Sequence, residues 1–442
     1  MRLRIGEERT GEMTDKMVRP TATRLVWGLV LLTAVGCSRG PRPAENLPEL
    51  AAAEQALSWP RLMGPHGDNV SPATGLLKEW PKDGPPLAWF AKGLGDGHAS
   101  VTIGGGRIYT SGNVGDATAV TALNLDGSRA WQTPNGPAWT RDYPGARGTP
   151  TLDGDRVYHE SPMGQLACFD AASGEKLWSV DLLDEFQAEN IQWGLAESVL
   201  VDGDRVIACP GGKKASIVAL DKRTGKTVWT AEPGDKAGYA SPILVEQDGL
   251  RMILAMTSAA LIGVDADTGA SLFRHEHRTQ YEVNATTPIY SKGRVLITSG
   301  YGAGAEMLAL SVDGKKAAVQ RLWQVKDFDN HHGGVVLRDG LIYGAASNGK
   351  WFCIDWQSGD VRYNQSTFGK GTLTSADGML YLLSEKRDAA LAPATAEGLT
   401  IISRFKMPDG GGDQSWAYPV VCNGRLYLRH GDQLFAYDVR AR

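Results

Sequence analysis

Residues 217–232 read IVALDKRTGKTVWTAE, residues 167–179 read ACFDAASGEKLWS, and residues 263–274 read GVDADTGASLFR. In each, an alternating apolar run leads into Asp, two variable residues, Ser or Thr, and Gly; a second run then ends in an aromatic. Alternation is the period of a half-buried strand. The stretch between the runs carries hairpin chemistry: Asp221 can accept from amides two residues on, and Gly225 can take positive φ. Asp170 with Gly174, Asp265 with Gly269 and Asp355 with Gly359 repeat the arrangement. Each copy is a β-hairpin, because this glycine spacing would break a helix.

A second signature alternates with the first: a turn ending in Gly, then a short strand. It reads GGGRIYTSG at 104–112, DGDRVYHE at 153–160, DGDRVIACP at 202–210 and DGLRMILA at 248–255. It continues as KGRVLITSG at 292–300, DGLIYGA at 339–345, DGMLYLL at 377–383 and NGRLYLRHG at 423–431. A spacing of roughly 40–50 residues is that of four-stranded propeller blades. The Gly-turn links the first two strands of a blade and the Asp/Gly hairpin the last two. The aromatic endings Trp131, Trp178, Trp229, Phe273, Trp323, Tyr363 and Phe405 mark seven blades. An eighth lies split between the ends, with Trp89 in GPPLAWFAKG and the last strand in QLFAYDVRAR.

The sequence therefore predicts an all-β, eight-bladed propeller of four-stranded antiparallel blades over residues 58–442. Its ring is closed by pairing of the N- and C-terminal strands. The loop EKRDAALAPATAEGL at 385–399 lacks the hairpin form, which leaves seven blades as the alternative. The repeated aromatics are expected to pack between blades.

Residues 17–37 (MVRPTATRLVWGLVLLTAVGC) combine Arg19 and Arg24 with a short apolar stretch, the pattern of a secretory signal over residues 1–36. Met17 is the expected true start. AVGC resembles a bacterial lipobox, which implies a lipid on Cys37, with residues 37–57 as a Pro-, Ala- and Glu-rich tether. The expected place is the cell envelope, facing the periplasm, on the outer rather than the inner membrane. The other four cysteines fall in separate blades, so no disulfide is expected. The six basic and four acidic residues ahead of Cys37 leave an acidic body, which argues against nucleic acid as a partner. No metal-ligand spacing is visible. His275 and His277 share a strand face and are expected on a solvated rim.

Residues just before each innermost strand should gather at one mouth of the central channel. Those segments place His98, Arg147, Trp193 with Glu197, Tyr239, Asn284, His331 with His332, Lys370, and Trp416 with Tyr418 there. Cations suit an anionic ligand, aromatics a planar one, and amides and hydroxyls orient it. The plainer alternative is a water-filled polar mouth in which Arg147 and Glu197 compensate each other. His331 and His332, adjacent in an extended segment, should point apart and not share a metal.

The Ala-(Leu/Phe)-Asp-x-x-(Thr/Ser)-Gly-x-x-x-Trp units resemble the repeats of the pyrrolo-quinoline quinone (PQQ) propeller superfamily. It contains quinoprotein alcohol dehydrogenases and the barrel-assembly lipoprotein BamB. WPRLMGPHGDNVSPATGLLKEWP at 59–81, with NHHGGVV and GKGTLTSADGMLYLLSEK, looks like a BamB-like group of bacterial, especially planctomycete, PQQ-like proteins. The resemblance implies a non-catalytic envelope lipoprotein scaffold that binds envelope proteins, possible outer-membrane assembly components among them, with no cofactor. The alternative it implies is a PQQ- and Ca²⁺-dependent oxidoreductase, or a quinone binder, working at the mouth. Against a dehydrogenase stands the lack of the adjacent cysteine pair those enzymes carry, so no catalytic residue is assigned.

Overall fold

A computed structural model describes residues 58–412 and 414–441. The signal, Cys37 and the tether lie outside the described residues. Eight blades of four antiparallel strands succeed one another around a central channel, and the sheet of one gains a fifth, parallel strand. Blade 1 holds Thr102–Gly104, Arg107–Val114, Ala117–Asn124 and Arg129–Pro137. Blades 2 to 7 span 151–181, 200–230, 243–276, 289–325, 335–365 and 371–406. Blade 8 joins Val420–Cys422, Arg425–His430 and Gln433–Asp438 to Leu87–Ala91 from the other end of the chain. The segment at 371–406 forms a full blade despite its altered loop, so the ring has eight members.

The hairpin motif explains both the local turn and the contact to the next blade. Asp221 Oδ1 accepts from the Thr224 amide at 2.8 Å and the Thr224 hydroxyl at 2.7 Å. Gly225 has φ +72°, and a Cβ there would lie 2.7 Å from the Trp178 ring. Glycine is therefore required twice, for the turn and for the indole lying on it. The Trp178 N–H then donates to the Lys222 carbonyl at 3.0 Å. Trp131 lies on Gly174 and Trp229 on Gly269 in the same way, each outer strand docking on the following blade's hairpin. Apolar clusters fill the wedges between blades.

Where the chain ends interrupt a blade, the same contacts form without a covalent turn. Trp89 stands opposite Ala436 in an antiparallel pair. The Asp438 amide donates to the Pro86 carbonyl at 2.8 Å, as Asp221 does to Lys226 within its hairpin. Gly84 receives the Phe405 ring, and Trp89 lies on Gly127 of blade 1. Blade 8 is thus held to both neighbours by the contacts that join the covalent blades.

Residues 59–71 form a plug inside the channel, a role their sequence did not disclose. Trp59 bridges Ile103 of blade 1, the Leu152 amide of blade 2 donates to Pro60, and Val70–Ser71 run parallel to Ser375–Ala376 of blade 7. The antiparallel Trp59 bridge sets Ser58 beside the end of the innermost strand, away from the mouth. Above the plug, a belt of hydroxyls staples successive blades. Ser100, Thr149, Ser198 and Ser241 donate their amides to the hydroxyls of Thr149, Ser198, Ser241 and Thr287 respectively.

One expectation about histidines fails. His277 is buried, and both His275 (2.9 Å) and His277 (3.4 Å) contact Glu306 of blade 5, so this pair locks two blades together instead of lying on a solvated rim. Cys168, Cys209, Cys353 and Cys422 are buried free thiols.

Candidate functional site

The segments before the innermost strands meet at one end of the channel around a cavity of about 410 Å³. His98, Arg147, Trp193, Tyr239, His331, His332, Lys370, Trp416 and Tyr418 line it, with Leu62 of the plug among the lining residues. Such a volume lies within the range of small-molecule sites, about 300–1,000 Å³.

Glu197 and Asn284 do not join them. The Glu197 side chain turns into the wall, where Oε1 accepts from the Cys209 amide at 2.7 Å and Glu160 is its carboxyl neighbour. Burial pushes both carboxyls up, and the Glu197 charge raises Glu160 further; neither lines the cavity or pairs with Arg147. Asn284 is a wholly buried strut, donating to the carbonyls of Thr257 and His277 and accepting from the Ser299 hydroxyl.

Aromatic rings form a collar around the cavity. Trp416 contacts His98 at 4.5 Å between centroids, His332 at 4.9 Å and Tyr143 at 5.1 Å. His331 continues from His332 (5.0 Å) to Tyr301 (4.9 Å), and Tyr281 links Tyr301 (5.3 Å) to Trp193 (6.5 Å). Tyr239 follows Trp193 at 6.1 Å. His332 sits in a bend that begins just after His331, outside any strand, and both rings reach the cavity.

The charges are few and unevenly satisfied. Glu385 is the one carboxylate on the cavity among the described residues. It is engaged by Lys370 (2.9 Å), His332 (3.0 Å) and the Trp416 N–H (2.9 Å). Burial alone would raise it, but the bonds from His332 and Lys370 hold it at about 2. Burial, reinforced by Arg147, pushes His98 down to about 3; burial, with His332 and Lys370, does the same to His331. Both rings are therefore neutral at pH 7. Arg147 donates to the carbonyls of Gly145 (3.2 Å) and Tyr143 (2.6 Å), with no carboxylate partner among the described residues. Burial pulls it down to about 10, still charged at pH 7.

Sequence reasoning missed Tyr143, Tyr301 and Glu385. The last two follow the second strands Arg294–Ser299 and Met379–Ser384, which end at the face where the first strands begin. Reading forward from each Gly-turn strand as well as backward would have found them. No group of three His, Cys, Asp or Glu side chains suited to a metal occurs among the described residues.

Residues 116–365 match the model of a family described as outer membrane protein assembly factor BamB. BamB of Yersinia pestis is 24% identical over 302 residues, covering 64% of this chain and 71% of that protein. Among solved structures, BamB of Moraxella catarrhalis has a TM-score of 0.59 at 15% identity, over 80% of this chain and 98% of that one. A quinohemoprotein alcohol dehydrogenase of Comamonas testosteroni reaches 0.63 at 12% identity, over 89% and 82%. At these identities the two structures speak for the fold alone.

Proposed function

The chain belongs to the family described as outer membrane protein assembly factor BamB, and from that premise we propose that it is an envelope scaffold, lipid-anchored through Cys37, that binds outer-membrane assembly proteins. The family match across blades 1 to 6 carries this reading. The geometry supplies the surface. Each blade ends in an outer strand with one unpaired edge, and Phe90, Leu177, Val228, Leu322 and Val361 stand exposed on five of those strands. Free edges beside apolar side chains suit partners that add a strand. Co-purification of the full chain from detergent-solubilised envelopes tests the proposal. Assembly components should accompany it and remain with Arg147→Gln and Lys370→Ala variants; their absence would contradict the scaffold. Cys37→Ser should move the protein out of the membrane fraction, and retention there would refute the anchor.

A second reading is favoured by the cation-bearing aromatic collar: a quinone such as PQQ held at the mouth, its carboxylates toward Arg147 and Lys370. A 1:1 absorbance change on titration with PQQ and Ca²⁺, lost in both variants, would favour it over the scaffold.

A further inference from the structure

The tyrosines of the collar are held in a conformation that tyrosine avoids. Tyr143, Tyr281 and Tyr301 have φ of +53°, +72° and +58°, and they are the tyrosines with positive φ among the described residues. Side chains with a Cβ rarely adopt this region, and bulky non-glycine residues there are outliers. Five of the other ten such positions are tight strand-to-strand turns served by Asp, Asn or Lys: Asp248, Lys292, Asp339, Asp377 and Asn423. Strain of this kind clusters at ligand sites. All three rings are also exposed, so burial does not repay it.

The polar groups beneath the rim are incomplete. Both ring nitrogens of His98 and Nδ1 of His332 are shielded from solvent without a hydrogen-bond partner. Buried polar atoms without partners are costly, and a ligand can supply the missing bonds. Charge is incomplete too. Among the described residues Lys370 and Glu385 cancel, the histidines are neutral, and Arg147 is left with one unbalanced positive charge.

We propose that the mouth receives a small ligand bearing one negative charge on a flat-faced ring, an aromatic monocarboxylate or an acidic sugar. The charge meets Arg147, the ring face lies against the tyrosine rim, and His98 and His332 bond its polar edge. Guanidinium groups bind carboxylates with two parallel N–H bonds, and aromatic faces accept flat apolar surfaces. The proposal is independent of the scaffold reading and differs from the quinone reading in charge. PQQ brings three carboxylates to a site with one unbalanced cation.

Isothermal titration of the purified full chain tests it, using 4-hydroxybenzoate and glucuronate, their neutral counterparts 4-hydroxybenzamide and glucose, and PQQ. One of the two anions should bind 1:1, at least about tenfold tighter than its neutral counterpart. Whichever anion binds identifies the source. Arg147→Gln should weaken it at least about tenfold at unchanged melting temperature, with Arg147→Lys retaining part. Tyr301→Gly, at a cavity-lining tyrosine with positive φ, provides the second arm: affinity should fall while the melting temperature holds or rises, because glycine relieves the backbone. No saturable binding by either anion, equal binding of the neutral counterpart, or affinity unaffected by Arg147→Gln would overturn the proposal. So would a melting temperature lowered by Tyr301→Gly, or PQQ binding tighter than both anions.

Discussion

Arg429 shows how much one side chain can carry in a ring with a seam. Its guanidinium is buried between blades 8 and 1, and among the described residues it forms no ion pair with a carboxylate. It donates to the carbonyls of Ala99, Gly95, Ser111 and Gly431 and to the Thr110 hydroxyl. Removing it strands several acceptors at once. Arg429→Met is predicted to cost about 3–5 kcal/mol in urea unfolding, the scale of a broken buried charged network. A loss below about 0.5 kcal/mol would show that the seam is held elsewhere. The histidines give a pH signature. His98, His159 and His331 are held near 3 by burial, whereas they titrate near 6.5 in the unfolded chain. Below about 6.5 the unfolded state binds protons the native state refuses, so stability falls as pH falls. Each such histidine contributes up to about 1.4 kcal/mol per pH unit between those limits. Unfolding at pH 7 and pH 5 should show the loss, with a flatter dependence in His98→Asn; equal stability at both values would contradict the burial argument.

At the scale of elements, the hairpin was legible because its chemistry is local. Asp221, Thr224 and Gly225 settle the turn among themselves, and the indole four residues on marks the next interface. Gly225→Ala should therefore fail on two counts, backbone and ring, and cost about 2–4 kcal/mol, more than a turn glycine without an indole on it. Gly249→Ala is the control, since a Cβ there meets nothing within 4 Å. Equal costs at the two positions would remove the docking argument. The mouth was less legible. Arg147 and Lys370 line the cavity, but Glu197 and Asn284 occupy equivalent positions along the repeat and turn inward to partners on other strands. Side-chain direction depends on those neighbours, and no periodicity records them. Nor does a tyrosine advertise positive φ as Gly or Asn does, so Tyr143 and Tyr301 gave no signal.

At the scale of the molecule, counting repeats was enough to place Trp89 against the final strand, because a ring leaves one vacancy. The plug at 59–71 escaped notice for the opposite reason: it is used once, and a single segment has no period to betray it. Its Leu62 lines the cavity at the mouth, and the outer strands form a separate surface. That separation is the core of the functional account, and photo-crosslinking in intact envelopes tests it directly. A photoreactive residue at Val228 or Val361 on outer strands should capture outer-membrane assembly proteins, in the Arg147→Gln background as well. Silence from every outer strand, with capture only from Tyr301 at the mouth, would contradict it.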